Sequence, residues 1–175
     1  MQSFLSIYRT TAMYEVFLAI HVLCAGLWVA NLPVVLILNK LSKRAANTAG
    51  EIHYMAAAGR IGLIMGNIGA IGILLSGPAL EGMNPVYGWF KFDDPAQNWL
   101  AWKQVLWILG LIWTGAVLIP ASKRVREGII AHMDPKRANT GASDDLRAGW
   151  SKYVMAVVVL NIIVLINIFL GEIRP

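Results

Sequence analysis

Charge is what this chain has least of. Asp, Glu, Lys and Arg make up 14% of its 175 residues, where a soluble domain usually carries ~25%. With a mean hydropathy of +0.58, that scarcity excludes a water-facing globule and points to an integral membrane protein of one domain. Cysteine is limited to Cys24, so no internal disulfide can form. Within an apolar run, a lone thiol reads as a small hydrophobe. His21 stands three residues before Cys24, which argues against a lipoprotein cleavage site. The N-terminus has no basic cluster, only Arg9 before the first apolar run, and that run is too long for a cleaved signal peptide. The first span is therefore expected to be retained. The net charge of +5 carries no nucleic-acid signature, because the basic residues bracket apolar spans instead of forming one surface.

What is there in abundance is uncharged length. Tyr14–Leu38 contains no formal charge from Val16 onward, enough for the ~20 residues that cross a bilayer's hydrocarbon core. Further runs predict an all-α, four-helix membrane bundle with helices at about 14–38, 53–80, 99–120 and 153–171 of a single domain, 1–175. Met1–Met13 reads as a short surface segment. Pro33 is expected to kink or loosen the first helix, which neighbouring helices can tolerate. Ala45–Glu51 reads as a short polar connection and Ala121–Ala148 as a mobile loop. Glu81–Asn98, rich in Gly, Pro and aromatic residues, reads as a turn-rich loop that folds back over the bundle.

Orientation follows from lysine and arginine. Eleven of the 15 lie in or beside the first and third connections, and four lie on the other side. The positive-inside rule then places those connections in the cytoplasm and both termini outside, in a multi-pass plasma (inner) membrane protein.

His21 is the only histidine within an apolar span; His53 and His132 fall near the opposite edge. An ionisable residue at membrane depth is a functional hypothesis by default; the plainer alternative is a hydrogen bond that joins two helices. Tyr14, Leu18, His21, Ala25 and Trp28 share one helical face. At ~1.5 Å per residue, His21 lies roughly 8–10 Å and Lys103 roughly 6 Å below the same membrane edge. The two can meet if their faces agree. Lys103 either snorkels to water along its methylene stem or pairs with an anion, such as a haem propionate or Glu15. The glycines at 59, 62, 66, 69 and 72, continued by Ser76, form a small-residue stripe on the second helix. It suits close helix packing, a flat cofactor, or both.

His21, Trp28, Leu32 and Pro33 resemble the first helix of the HemJ-type protoporphyrinogen oxidases and of the related CopD-type copper-resistance membrane domains. Trp99–Lys103 is similar to the HemJ family's lysine segment, and the four-helix plan agrees with it. After leucine-proline that family continues to an arginine and a tyrosine-histidine pair; here Val34–Asn39 contains neither. The resemblance implies a b-type haem on His21, with Trp28 and Lys103 in the cofactor-binding set; the small-residue face, read as the seat of a flat cofactor, adds Gly62, Gly66 and Gly69. It also implies redox or electron-transfer chemistry of the oxidoreductase type, with quinone or a porphyrin as partner. A sixth haem ligand would be absent, or would be Lys103, a methionine or a group from a second subunit. The rival readings are a haem-free accessory subunit of a membrane complex and a CopD-like copper transporter. Copper handling favours clustered methionines, and the seven here are scattered. A glycine face is also compatible with a homodimer.

Overall fold

The computed structural model describes residues 2–83, 88–132 and 141–172, and of residues 2–11 and 172 the backbone alone. The chain is all-α. Helix α1 runs Gln2–Arg44, α2 Ala49–Met83, α3 Asn98–Trp113, α4 Ile119–His132 and α5 Asp144–Glu172. A single π-helical turn, Thr114–Leu118, joins α3 to α4. These two helices form one continuous span, so four helices among the described residues are long and apolar enough to cross a membrane. The expected four-helix membrane architecture is therefore present.

The elements are longer than the apolar runs alone indicate. Residues 2–13 belong to α1, and the helix passes through Pro33 unbroken. Residues 121–132 are helical, and α5 begins nine residues before Tyr153. The expected loop 121–148 is thus replaced at both ends by helix, while its residues 133–140 lie outside the described residues. The charge-free stretches 16–39, 61–80, 104–122 and 153–171 each match the ~20 residues of a hydrocarbon core. The helices simply continue into the polar zone, where nothing in the backbone requires them to stop. The π turn has a local cause. Pro120 has no N–H and its ring crowds the carbonyl of Ala116, four residues earlier. The turn widens just there.

α1 and α2 pack along each other, and α5 lies against α1, α3 and α4. Gly69 seats this pairing. A Cβ placed there would lie 2.9 Å from Trp28 Cβ and 3.0 Å from the Cys24 carbonyl oxygen. The main buried cluster gathers Val35, Met55, Ala58, Val125, Trp150 and Val157. It lies toward the end of the bundle that carries Lys40, Lys43 and Arg44, here called the basic end. At the opposite end the helices spread: among the described residues α2 reaches α3 through the Gln104–Glu81 hydrogen bond rather than by close backbone packing. That divergence opens the space described next. Outward-facing Leu23, Leu75, Ile112 and Phe169 are exposed, as expected of surfaces covered by lipid.

At the basic end, polar groups tie the helices together. The Glu51 carboxylate is 3% exposed and accepts from Arg147 Nε at 2.7 Å and Nη2 at 2.9 Å. It also accepts the backbone N–H groups of Asn47 at 3.0 Å and Ala142 at 3.1 Å. Trp150 Nε1 donates to Asn39 Oδ1 at 2.9 Å. Asn47 adopts φ 65°, a left-handed conformation that asparagine tolerates at helix ends.

Candidate functional site

His21 lies on the wall of a cavity of about 380 Å³ at the spread end of the bundle. The whole predicted face of α1 lines it: Tyr14, Leu18, His21, Ala25 and Trp28. The 3.6-residue period alone brings these five to one side of α1. α2 adds Ala70, Leu74 and Gly77; α3 adds Trp99, Lys103 and Trp107; α5 adds Asn167. Trp89, from the second connection, completes the wall. The described part of that connection does fold onto the bundle, as its composition suggests. Phe90 N–H donates to Gln104 Oε1 at 2.6 Å, and Gln104 Nε2 donates to Glu81 Oε1 at 2.7 Å. Phe90 itself sits at φ 54°, a conformation uncommon for a bulky residue. The hydrogen bond to Gln104 holds it there.

The hydrogen bonds around His21 determine its tautomer. His21 Nδ1 lies 2.9 Å from Ser76 Oγ. The Ser76 hydroxyl donates its own proton to the Gly72 carbonyl oxygen. Only His21 can then supply the proton between Nδ1 and Oγ. In the neutral imidazole Nδ1 is then the N–H nitrogen, and Nε2 keeps its lone pair. A histidine that ligates metal has this arrangement, with the second nitrogen tied to a fixed partner. Ser76 is 1% exposed, so the partner has little freedom to move. Ser76 stands out in the sequence only as the end of the glycine stripe; the single hydroxyl among glycines was the available signal for this role.

Lys103 lines the same cavity as His21. Its Nζ lies over the Trp99 ring, 5.7 Å from the centroid. A Cβ on Gly171 would come within 2.9 Å of that nitrogen, which places the ammonium beside the last turn of α5, where helix carbonyls favour a cation. The Lys103 carbonyl accepts from Asn167 Nδ2 at 2.8 Å, joining α3 to α5 at this level.

The other expected members divide. Gly62 and Gly69 do not line this cavity. Gly62 faces Asn31 and the Tyr153 hydroxyl, and Gly69 lies under Trp28. Gly66 has nothing within 4 Å of a placed Cβ and faces a second cavity nearer the basic end. The stripe is therefore two faces: Gly62, Gly69, Gly72 and Ser76 turn toward α1, Gly72 against Cys24, while Gly59 and Gly66 turn away. His132 uses both ring nitrogens, Nδ1 donating to Gly128 O at 2.8 Å and Nε2 accepting from Ser143 N–H at 3.2 Å. His53 is exposed at the basic end.

Among the described residues no three His, Cys, Asp or Glu side chains converge as a metal cage. The cavity offers one imidazole among tryptophan rings. That donor set is thin for a bare ion but sufficient for a haem, whose macrocycle supplies four nitrogens and needs only an axial side chain from the protein. No family model, curated protein or solved structure matches this chain.

Proposed function

We propose that this chain is a haem-b-binding, four-helix membrane protein with a HemJ-like redox or electron-transfer role, and that His21 is its axial ligand. The observation that carries the reading is the His21–Ser76–Gly72 hydrogen-bond chain, which leaves Nε2 unprotonated at the wall of an aromatic cavity. His21 would hold the iron, Ser76 would orient the imidazole, and Lys103 would offer a cation to a propionate. The surrounding tryptophans would exclude water and lower the local dielectric, which tunes the potential of a buried haem. The group itself supplies one-electron chemistry when bound; quinone or a porphyrin is the partner that a membrane-embedded site of this kind can reach.

The test is the composition and absorption spectrum of protein purified in detergent. A Soret band with haem b by pyridine haemochrome is the expected result. A colourless, metal-free sample would overturn the proposal in favour of an accessory subunit, and stoichiometric copper would favour a CopD-like carrier.

The basic end faces the cytoplasm in this reading, which puts His21 in the outer leaflet of the plasma membrane. A reporter fused after Pro175 is expected on the outer face, and one inserted at Thr140 on the cytoplasmic face. Cytoplasmic signal from the Pro175 fusion would reverse the orientation and move the site to the inner leaflet.

A further inference from the structure

A second cavity, of about 790 Å³, lies toward the basic end between α2 and the third span. Arg60 lines it from α2, and Lys123 and Arg126 line it from α4; no carboxylate is among the described lining residues. Lys123 and Arg126, three residues apart, share one face of their helix. All three side chains are exposed. Among the described residues neither Arg60 nor Arg126 takes an ion pair. Lys123 reaches Glu127 only at 4.0 Å, with both side chains mostly exposed, a pairing that contributes little.

The three charges stand at a similar level, as contacts with α5 reveal. A Cβ on Gly149 would meet Val125, and one on Gly62 would meet the Tyr153 hydroxyl, four residues further along α5. Arg60 lies two residues back from Gly62, toward the basic end. It is therefore within about one helical turn, ~5 Å, of Val125, which Lys123 and Arg126 flank. That level is an edge of the hydrocarbon zone. Arg60 immediately precedes the charge-free stretch 61–80, and Lys123 immediately follows 104–122. Inward of the charges, Leu63, Ala70, Leu118 and Ile119 give the groove apolar walls. Leu63 and Ile119 are 56% and 59% exposed, and Gly66 between them leaves a bare strip with nothing within 4 Å of a placed Cβ.

We propose that this groove binds an anionic phospholipid, with its phosphate at Arg60, Lys123 and Arg126 and one acyl chain along Leu63, Gly66 and Ile119. Arginine presents a planar fork of donors to phosphate oxygens, and a basic pocket between transmembrane helices suits an anionic headgroup. A zwitterionic lipid would bring its own cation to the same rim. A second copy of this chain inserts the same way round, with 11 of its 15 lysines and arginines at this end. Laid against the groove, it would set like charges side by side. Charge therefore selects the anionic lipid.

The experiment is native mass spectrometry of the whole protein in detergent at low ionic strength. It is titrated with phosphatidylglycerol or with phosphatidylcholine of the same acyl chains. The first phosphatidylglycerol is expected to bind about a hundredfold more tightly than the first phosphatidylcholine, at roughly fivefold for each of the three cations. Arg60→Gln with Arg126→Gln should weaken phosphatidylglycerol about 25-fold on the same scale and leave phosphatidylcholine nearly unchanged. Lys40→Ala with Arg44→Ala removes two charges from the same end but outside the groove, and should cost less than about threefold. Gly66→Leu has open space for its side chain; it should occupy the acyl strip and weaken phosphatidylglycerol at least about tenfold, with helix content unchanged. Equal affinity for the two lipids would overturn the proposal. So would a loss in Lys40→Ala with Arg44→Ala as large as that in the rim pair, since the field of the whole end would then be acting. Parental phosphatidylglycerol binding in Gly66→Leu would overturn it too. Glycerophosphoglycerol, the same headgroup without acyl chains, binding as tightly as the lipid would leave a soluble-anion site only. A dimer that Gly66→Leu dissociates and excess phosphatidylglycerol does not would give the groove to a second copy. Either result overturns the lipid assignment. Haem content enters none of these readouts.

Discussion

His21→Ala is expected to remove nearly all bound haem while the four helices still insert. Insertion depends on the charge-free stretches, and His21 contributes nothing to them beyond one polar group. Ser76→Ala should show the weaker effect proper to a residue that acts through another. It frees the Nδ1 proton and lets the ring turn, and loss of such an outer partner typically lowers metal affinity about 10–100-fold. Ser76→Thr, which keeps the hydroxyl, should restore much of that loss if the branched methyl is accommodated. Lys103→Ala should reduce haem retention by an intermediate amount if the ammonium pairs with a propionate, or change the ligand-field spectrum if it ligates iron. His53→Ala and His132→Ala should leave haem per protein unchanged, since neither lines the cavity. The measurement is pyridine haemochrome per protein, with circular dichroism to verify helix content. Full haem in His21→Ala would refute axial ligation. Full haem in Ser76→Ala, with no change in spectrum or reduction potential, would remove the orienting role.

The second large effect concerns stability. Glu51→Ala should lower unfolding free energy by about 2–4 kcal/mol, because hydrogen bonds to a charged group contribute about 1.5–3 kcal/mol each and water compensates part of that loss at Arg147, whose side chain is 34% exposed. The substitution leaves the Asn47 and Ala142 N–H groups and the guanidinium without their shared acceptor. It thereby loosens the α1–α2 connection from the start of α5. Glu51→Gln keeps the volume and one acceptor oxygen, and should fall between. Thermal unfolding in detergent gives the measurement, and the Glu51→Ala,Arg147→Ala pair should lose less than the sum of the single changes because the two share one interaction. A melting temperature equal to the parent's would mean that the cluster is incidental. Haem content should be affected less than stability, since this cluster is at the opposite end from His21.

These two sites were unequally legible in the chain. The face that carries His21 and Trp28 could be read directly, because helical periodicity is local and every one of its five residues lines the cavity. The meeting of His21 with Lys103 in one cavity was also within reach, since both stand at similar depth below the same edge. Glu51, by contrast, reads as part of a polar connection. Its partner Arg147 is 96 residues away, and nothing local marks the two as a pair. The helical ends beyond the membrane were hidden for a related reason. Hydropathy reports where lipid stops, while helix continues until capping or packing ends it. The glycines could not be sorted either. A spacing of three and four puts all of them near one face, and a few tens of degrees of rotation decide which touch α1 and which face an opening.

What the sequence determined alone was set by solvent. A backbone in lipid must satisfy its own hydrogen bonds, so four uncharged runs of membrane length become four helices, and the basic residues mark one end of them. What only the tertiary structure decided was how those helices approach one another. α1 seats closely on α2 because Gly69 lets Trp28 in. α2 and α3 diverge, so a cavity opens beside His21. Ser76 comes from 55 residues away to hold Nδ1, and Asn31 comes to face Gly62 beside the Tyr153 hydroxyl. Such meetings depend on helix rotation and separation, which arise from the summed packing of many side chains, and no single stretch of residues carries that information.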